Sequence, residues 1–414
     1  MKKRTKIGSV VLSLMLGVSV FATAAFGQAP EQAAQDSFRV LIKGNSNEKA
    51  KAQASYGKRH DFGAEGFTTN VNESQYKALL KNKNLKVELV EQVEIYAKPG
   101  AGTMAPTDQT PWGIEAIYND SAITQTSGGD GIKVAVLDTG VNKAHTDLAA
   151  NVEQCKDFTQ RTSPLVNGVC NDKNGHGTHV AGTVLANGGN GTGIYGVAPQ
   201  AELWAYKVLN DRGSGYSDDI AAAIEHAANE ATRLGVKTVI SMSLGSSTKN
   251  TLISNAVDYA YGKGALVVAA AGNSGPSANT IGYPGALVNA IAVASLDNTF
   301  VNGTHKVSDF SSRGNPNTDG DYVIQERDIE LSAPGGAIYS TATSGGYTTM
   351  SGTSMATPHI SGLAAKIWAE NKSLSNVQIR TELQNRAKLY DIKGGTGAAT
   401  GDDYASGFGF PRVR

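Results

Sequence analysis

"IKVAVLDTG", residues 132–140, decides how the rest of the chain is to be read. Its apolar residues run almost without interruption into Asp138, Thr139 and Gly140. A strand that alternates apolar with polar residues can face water on one side; one that is apolar throughout has to be covered on both. The same signature returns in "ELWAYKVL" (202–209), "VKTVISMSL" (236–244), "ALVVAAAG" (265–272) and "AIAVAS" (290–295). Between them, residues 218–234 carry Ile220, Ile224, Ala227, Ala231 and Leu234 on one helical face. Asp218 and Asp219 open that helix, and Gly235 follows its end. Residues 250–261 repeat the pattern. Buried strands alternating with amphipathic helices predict an α/β domain, a parallel sheet flanked by helices on both faces. In such sheets sites form beyond the carboxyl ends of the strands, which is where Asp138 falls.

Upstream the pattern changes. "FRVLIKG" (38–44) and "KVELVEQVEIYA" (86–97) read as strands, and "NESQYKALLKN" (72–82) as a helix capped by Asn72 or Ser74. Residues 38–98 therefore form a small α+β module. "KPGAGTMAPTDQTP" (98–111) has almost nothing to bury and reads as a linker. Before the module, "MKKRTK" and the short apolar run that follows read as a secretory signal peptide over residues 1–27, with cleavage after Gly27 or Ala24. A secreted, extracellular protein without a membrane anchor is expected.

The composition, 40% hydrophobic and 18% charged over 414 residues, is that of an ordinary globular protein. The formal net charge of zero conceals opposite halves: residues 1–104 carry a surplus of six positive charges and the remainder six negative. That asymmetry favours docking of one segment on the other. No basic cluster interleaved with aromatics points to nucleic acid. Cys155 and Cys170 are expected to pair in an oxidising compartment, with a stabilisation of about 3 kcal/mol in the chain-entropy account. A metal pair or a reactive thiol is the alternative.

Four turns carry chemistry. Asp138 ends a buried strand; alone it is equally readable as a turn cap. In "NGHGTHVAGT" (174–183), His176 lies between two glycines at the start of a helical run, and histidine is the usual general base. His176 and His179 lack the glutamate and spacing of a zinc helix, so His179 is assigned to packing. In "AAAGNSGP" (269–276), Asn273 follows a strand, where a carboxamide can donate to a developing oxyanion or serve as a plain turn residue. In "GTSMATPHISG" (352–362), Ser354 opens a helix and reads as a cap or as a nucleophile.

Taken in order, "VAVLDTGV", "NGHGTHVAGT", "AAAGNSGP" and "GTSMATPHISG" resemble the motifs of the subtilisin-like serine peptidases, from about Pro111 to beyond residue 370. Residues 38–98 resemble that family's inhibitory propeptide. The resemblance implies a secreted endopeptidase made as a zymogen, with residues 28–104 as propeptide and 105–414 as the peptidase domain. It implies Ser354 as nucleophile, His176 as base, Asp138 as the partner of the imidazole, and Asn273 with the Ser354 N–H as oxyanion donors, Thr353 assisting. Gly213, Ser214 and Gly215 with Ser243, Leu244 and Gly245 would pair with an extended substrate. Those last three, with Ala270, Ala271, Gly272 and "GYPG" (282–285), would line a roomy apolar pocket for large apolar or aromatic side chains. Ser274 stands where some relatives carry an acid.

The resemblance further implies a structural calcium ion held by Asp108, Asp147 and Asn190 and by carbonyls near Thr192 and Ile194, solvated surface groups being the alternative. The glycine-rich loop there is one residue longer than in the best-known members. Weaker cation candidates are "NPNTDGDY" (315–322), an insertion relative to the family, and Asp402 with Asp403. Met355 is an oxidation liability beside Ser354. Self-cleavage in the linker would leave a chain beginning near Ala105, with Met104 in the pocket. The enzyme would act as a monomer on protein and peptide substrates, with its own propeptide as chaperone and inhibitor. An α/β-hydrolase esterase would need G-x-S-x-G and the opposite residue order. A binding protein on an inactive peptidase scaffold would need a substituted catalytic position.

Overall fold

The computed structural model of the chain describes residues 37–97, 109–188 and 191–413. The leader, Met104, Ala105, Asp108 and Asn190 lie outside the described residues. The N-terminal module is built on β1 (Ser37–Gly44), paired antiparallel with both β2 (Phe67–Asn72) and β3 (Leu85–Leu89). Helices α1 (Ser46–Tyr56) and α2 (Glu73–Lys81) accompany it, and Val40, Ile42, Phe67, Val71 and Leu79 form its core. Asn72 caps α2 in a reciprocal capping box with Gln75. Helix α1 was not anticipated, because its sequence offers no apolar stripe and buries only Ala52.

The run 86–97 is corrected: it is two strands. After β3 ends at Leu89, β4 (Gln92–Ile95) leaves the module's sheet and pairs with the large domain instead.

The large domain opens with α3 (Trp112–Tyr118) and β5 (Ile132–Asp138). Strands β6 (Val152–Asp157), β7 (Val166–Asn167), β8 (Glu202–Lys207), β9 (Ser214–Tyr216), β10 (Lys237–Met242), β11 (Leu244–Gly245), β12 (Leu266–Ala270), β13 (Ile291–Val301), β14 (Thr304–Val307) and β15 (Leu331–Pro334) follow. The helices between and after them are α4 (His176–Leu185), α5 (Ser217–Leu234), α6 (Thr251–Gly262), α7 (Thr353–Glu370) and α8 (Asn376–Lys388). In space the main sheet runs β14-β13-β12-β10-β5-β8-β6-β7, with β15 also on β13. Only the pairings of β7 and β14 are antiparallel.

Alternate residues of each strand feed two cores. Val134 and Val136 of β5 pack with Val180 of α4 and Ile360 of α7. Ala135 and Leu137 pack with Ile224 of α5 and Val257 of α6 on the other face. This is the doubly covered parallel sheet read from the apolar runs. Gly235 ends α5 in the left-handed region at φ 66°, a conformation that favours glycine. Leu234, expected on the buried face, is 39% exposed: it is the last residue of the helix, where the sheet no longer lies beneath it. Cys155 and Cys170 form a disulfide, with Cα atoms 5.1 Å apart.

The two bodies meet at the N-terminus of α5. Arg39 Nη1 donates to Asp219 at 2.7 Å, Arg59 Nε donates to the same carboxylate at 2.8 Å, and His60 Nε2 lies 2.8 Å from it. Arg59 also donates to the carbonyls of Phe158 and Gln160 at 2.6 and 2.7 Å. Burial alone would raise the Asp219 carboxyl, but His60, Arg39 and Arg59 hold it below its ordinary range. Burial and the neighbouring Asp219 push Asp218 the other way. Although His60, Asp218 and Asp219 have the spacing of metal ligands, two guanidinium groups already supply the positive charge they require.

Candidate active site

The site forms where three adjacent strands end. Asp138 is the last residue of β5; Ser243 follows β10; Asn273 follows β12 by two residues. Because these strands are neighbours in the order β12-β10-β5, their ends are about 4.8 Å apart from one to the next. Each end holds one partner from elsewhere in the chain.

At β5, His176 Nδ1 lies 2.8 and 2.9 Å from the Asp138 carboxylate oxygens. Both side chains are buried. Bidentate contact fixes the ring and makes Nδ1 the donor, which leaves Nε2 as the basic nitrogen. Asp138 accepts also from the Thr139 N–H at 2.7 Å. The start of α4 is clamped by Asp172, a residue the sequence reading passed over: its carboxylate accepts from the N–H groups of Gly175 and Thr178 at 2.8 and 2.9 Å. An Asp four residues before His176, at a helix N-terminus, was the available signal.

At β10, Ser243 and Ser354 exchange hydrogen bonds. The Ser243 hydroxyl donates to the Ser354 carbonyl at 2.8 Å, and the Ser354 hydroxyl donates to the Ser243 carbonyl at 3.1 Å. The first bond has a covalent cause. Pro358, four residues after Ser354 in α7, has no N–H for the Ser354 carbonyl, and the Ser243 hydroxyl fills the vacancy. The second bond turns Ser354 Oγ away from the ring; His176 Nε2 is buried without a hydrogen-bond partner.

At β12, Asn273 Oδ1 accepts from the N–H and the hydroxyl of Thr353, both at 3.0 Å. With its oxygen so engaged, the carboxamide presents Nδ2 outward, where it donates to the carbonyl oxygen of Tyr96. Thr353 is thus the residue that orients Asn273. Met355 is fully buried in the core beneath α7. His179 is buried too, its Nε2 on the Ile338 carbonyl at 3.0 Å, and burial lowers it to about 3. Burial likewise lowers His359, on the Met355 carbonyl at 2.8 Å, to about 4.

The residues expected to bind an extended chain already hold one. Strand β4 lies antiparallel between β9 and β11: Val93 pairs with Gly215, Glu94 with Ser214 and Gly245, and Ile95 with Leu244. The Ile95 N–H donates to the Gly213 carbonyl at 3.0 Å. Val93 is buried in the cluster containing Leu209 and Leu244. The next residue, Tyr96, fills the expected pocket; a Cβ on Gly245 or Gly282 would overlap its hydroxyl, and one on Gly272 would lie 3.5 Å from its ring. Burial raises the Tyr96 phenol well above its ordinary value. Ala270 and Ala271 are buried beneath.

Of the expected calcium ligands, Asp147 is buried, and its Oδ2 accepts from the Ile194 N–H at 2.9 Å and the Tyr347 hydroxyl at 2.8 Å. A Cβ on Gly193 would stand 2.5 Å from Asp147 Oδ1, so only glycine fits against that carboxylate. Thr192 is exposed in the same loop. Asp402 accepts from the N–H groups of Gly320 and Tyr322 at 3.0 and 2.9 Å, and Asp403 from those of Ala399, Ala405 and Ser406 at 2.8, 2.8 and 2.7 Å. Both serve as loop clamps.

Comparison with known proteins agrees with the architecture. The signature of the Subtilase family matches residues 129–409. Over 98% of the chain and 99% of the relative, the sequence is 58% identical to a subtilisin from Bacillus sp. (strain TA39). Thermitase from Thermoactinomyces vulgaris is 41% identical over 65% of the chain and 84% of its own length. Among solved structures, Sphericase superposes with a TM-score of 0.74 at 68% identity, covering 75% of this chain and all of the other. No helix among the described residues is long and apolar enough to cross a membrane.

Proposed function

Because the chain belongs to the subtilase family and is a serine endopeptidase, we propose that it cleaves proteins through an acyl-enzyme made on Ser354, with His176 as the base. The Ser354 hydroxyl rotates onto His176 Nε2, gives up its proton there and attacks the peptide carbonyl. Asp138 stabilises the imidazolium without taking the proton. The oxyanion is held by Asn273 Nδ2 and by the Ser354 N–H, which as a residue of the first helical turn has no acceptor within α7. His176 then protonates the leaving amine, and a water that transfers its proton to His176 releases the acid.

The reading is supported above all by the three adjacent strand ends, which hold Asp138–His176, Ser243–Ser354 and Asn273–Thr353 side by side. A serine-directed phosphonate should add its mass to one residue of the mature enzyme. Labelling that persists in Ser354→Ala would overturn the assignment.

Substrate would pair with Gly213, Ser214 and Gly215 on one side and with Ser243, Leu244 and Gly245 on the other. Large apolar or aromatic side chains would enter the pocket of Gly245, Ala270, Ala271, Gly272 and Gly282; the Tyr96 ring seated there supports this. Residues 1–27 would direct secretion, and residues 28–104 would fold the domain and block its groove until excised. The mature enzyme, from about Ala105, would act as a monomer.

Asp147 offers a hard cation a carboxylate at the glycine-rich loop, beside Gly193. Calcium would be held by Asp108, Asp147 and Asn190 with carbonyls at Thr192 and Ile194. It would act as a structural cross-link between the start of the mature chain and two loops. Chelation should lower the melting temperature of the mature enzyme by several degrees; an unchanged melting curve removes the calcium assignment.

A further inference from the structure

The far end of the apolar pocket has no side chains of its own, and its spacing is set from behind. We propose that Glu326, on the loop that leads into β15, is a positioning residue that ties the two sides of that end together and so sets the preference for large aromatic side chains. This rests on the serine peptidase reading of the same pocket.

Both sides meet the end of a seated ring through glycine. A Cβ on Gly245 or on Gly282 would overlap the Tyr96 hydroxyl, so bare backbone lies against it. Backbone cannot swing to fill a gap as a side chain can, and the distance between the two segments is therefore the width of the pocket. The residues just behind are joined by an isolated bridge. The Ser246 N–H donates to the Tyr283 carbonyl at 3.0 Å, and the Tyr283 N–H donates to the Ser246 carbonyl at 2.9 Å. In the order β11-β4-β9, β11 has no strand partner but β4 among the described residues. Once the module has left, that bridge and its supports hold this side.

Glu326 supports it from outside. Its carboxylate accepts from the Tyr283 hydroxyl at 2.8 Å and from Lys249 Nζ at 2.9 Å through both oxygens. Lys249 lies three residues beyond Ser246 on one side, and Tyr283 adjoins Gly282 on the other. One group thus ties the two sides a second time. The bonds from Lys249 and Tyr283 hold the Glu326 carboxyl below its ordinary range, so it is ionised at neutral pH. Burial and the bond to Glu326 push the Tyr283 phenol up to about 12, which keeps it a donor.

The loop is itself fastened to the segment it braces, on either side of Tyr283. The Arg327 N–H donates to the Ala286 carbonyl at 2.8 Å, and Arg327 Nη2 donates to the Asn279 carbonyl at 2.7 Å. Asp328 closes the turn by accepting from the Gln325 N–H at 2.7 Å. Glu326 is therefore presented from a held backbone. Lys249 and Glu326 are 48% and 42% exposed, and exposed pairs contribute little. A change of preference is expected, not a loss of activity.

The mature enzyme should be assayed with peptide p-nitroanilides that differ only in the residue before the scissile bond, tyrosine or alanine. An alanine methyl stops short of Gly245 and Gly282, which the end of a tyrosine ring meets. Glu326→Gln, which removes the charge and keeps the size, should lower the Tyr-to-Ala ratio of kcat/KM about five-fold, the upper range for an exposed pair. The loss should lie in KM for the tyrosine substrate, because the ring is held alike in bound substrate and transition state. Lys249→Met should act in the same direction, and the double variant should fall no further than Glu326→Gln. A ratio that does not fall in Glu326→Gln overturns the proposal. So does an equal loss on both substrates, which is what mere stiffening of the loop would give. If hydrolysis is abolished in Ser354→Ala while the ratio is unmoved in Glu326→Gln, only the bracing role fails. If Ser354→Ala still cleaves both substrates, the serine peptidase reading fails with it.

Discussion

The helix–sheet interior of the large domain and the joint between that domain and the N-terminal module are both largely buried, yet they are made of different materials. The interior joins Val134, Val136, Ala135 and Leu137 of one strand to apolar side chains of four helices, on two faces. The joint adds to a few apolar contacts, Leu41 and Val93 against Leu209 and Leu244, a carboxylate pair gripped by Arg39, Arg59 and His60 and one strand laid between two others. Surfaces covered for the life of the molecule can be apolar. A surface that is to be uncovered leaves charges and peptide groups, which water solvates at little cost.

Asn273 touches both regions, through Thr353 and through Tyr96. Asn273→Ala should lower kcat of the mature enzyme about 10²–10³-fold, the loss known for the corresponding donor of a subtilisin, while its melting temperature moves little. A large loss of stability would mean that the comparison draws its boundary in the wrong place.

Asp219→Ala breaks the joint alone. Leaving His60 without its carboxylate, Arg39 with Asp218 alone and Arg59 with only carbonyl acceptors should weaken retention of the cleaved module at least thirty-fold, about 2 kcal/mol. The fraction of module co-eluting with the domain on gel filtration reads this directly. Undiminished co-elution would show that β4 pairing, and not the charge cluster, holds the two together.

A third prediction separates the regions by pH. Burial lowers His179 to about 3 and His359 to about 4, whereas unfolded histidines titrate near 6.5. The unfolded chain therefore binds more protons below pH 6.5, and interior stability falls as pH falls through that window, by at most about 3 kcal/mol per histidine at pH 4. Asp219, held below the ordinary carboxylate range by His60, Arg39 and Arg59 against its own burial, keeps its contribution until the pH falls lower still. Urea melts of the precursor at pH 7 and pH 4.5 should show the domain weakening while its module stays bound. Equal stability at both values would refute the histidine account.

Apolar runs, the helix over 217–234 and the glycine that ends it were legible because each rests on neighbours in sequence. So were Asp138, His176, Asn273 and Ser354, which sit on glycine-flanked turns at strand ends or helix starts. The break between β3 and β4 was not. Alternation continues through "KVELVEQVEIYA", and nothing local says that one half belongs to a different sheet. Nothing among the sequence neighbours of His60 marks it, because its partner, Asp219, is 159 residues away. That Tyr96 fills the pocket was not legible either, since Gly245, Gly272 and Gly282, which its ring meets, are distant from it in the chain.

By itself the sequence determined the kinds of element, the two-sided burial of the sheet and the side chains proposed to react, because periodicity and turn chemistry act over a few residues. Only the tertiary structure decided which strand ends stand side by side, that Ser243 caps the carbonyl freed by Pro358, and which residue of the chain occupies the pocket. Those outcomes depend on strand order and register between segments distant in the chain, and no local preference encodes a distance of that kind.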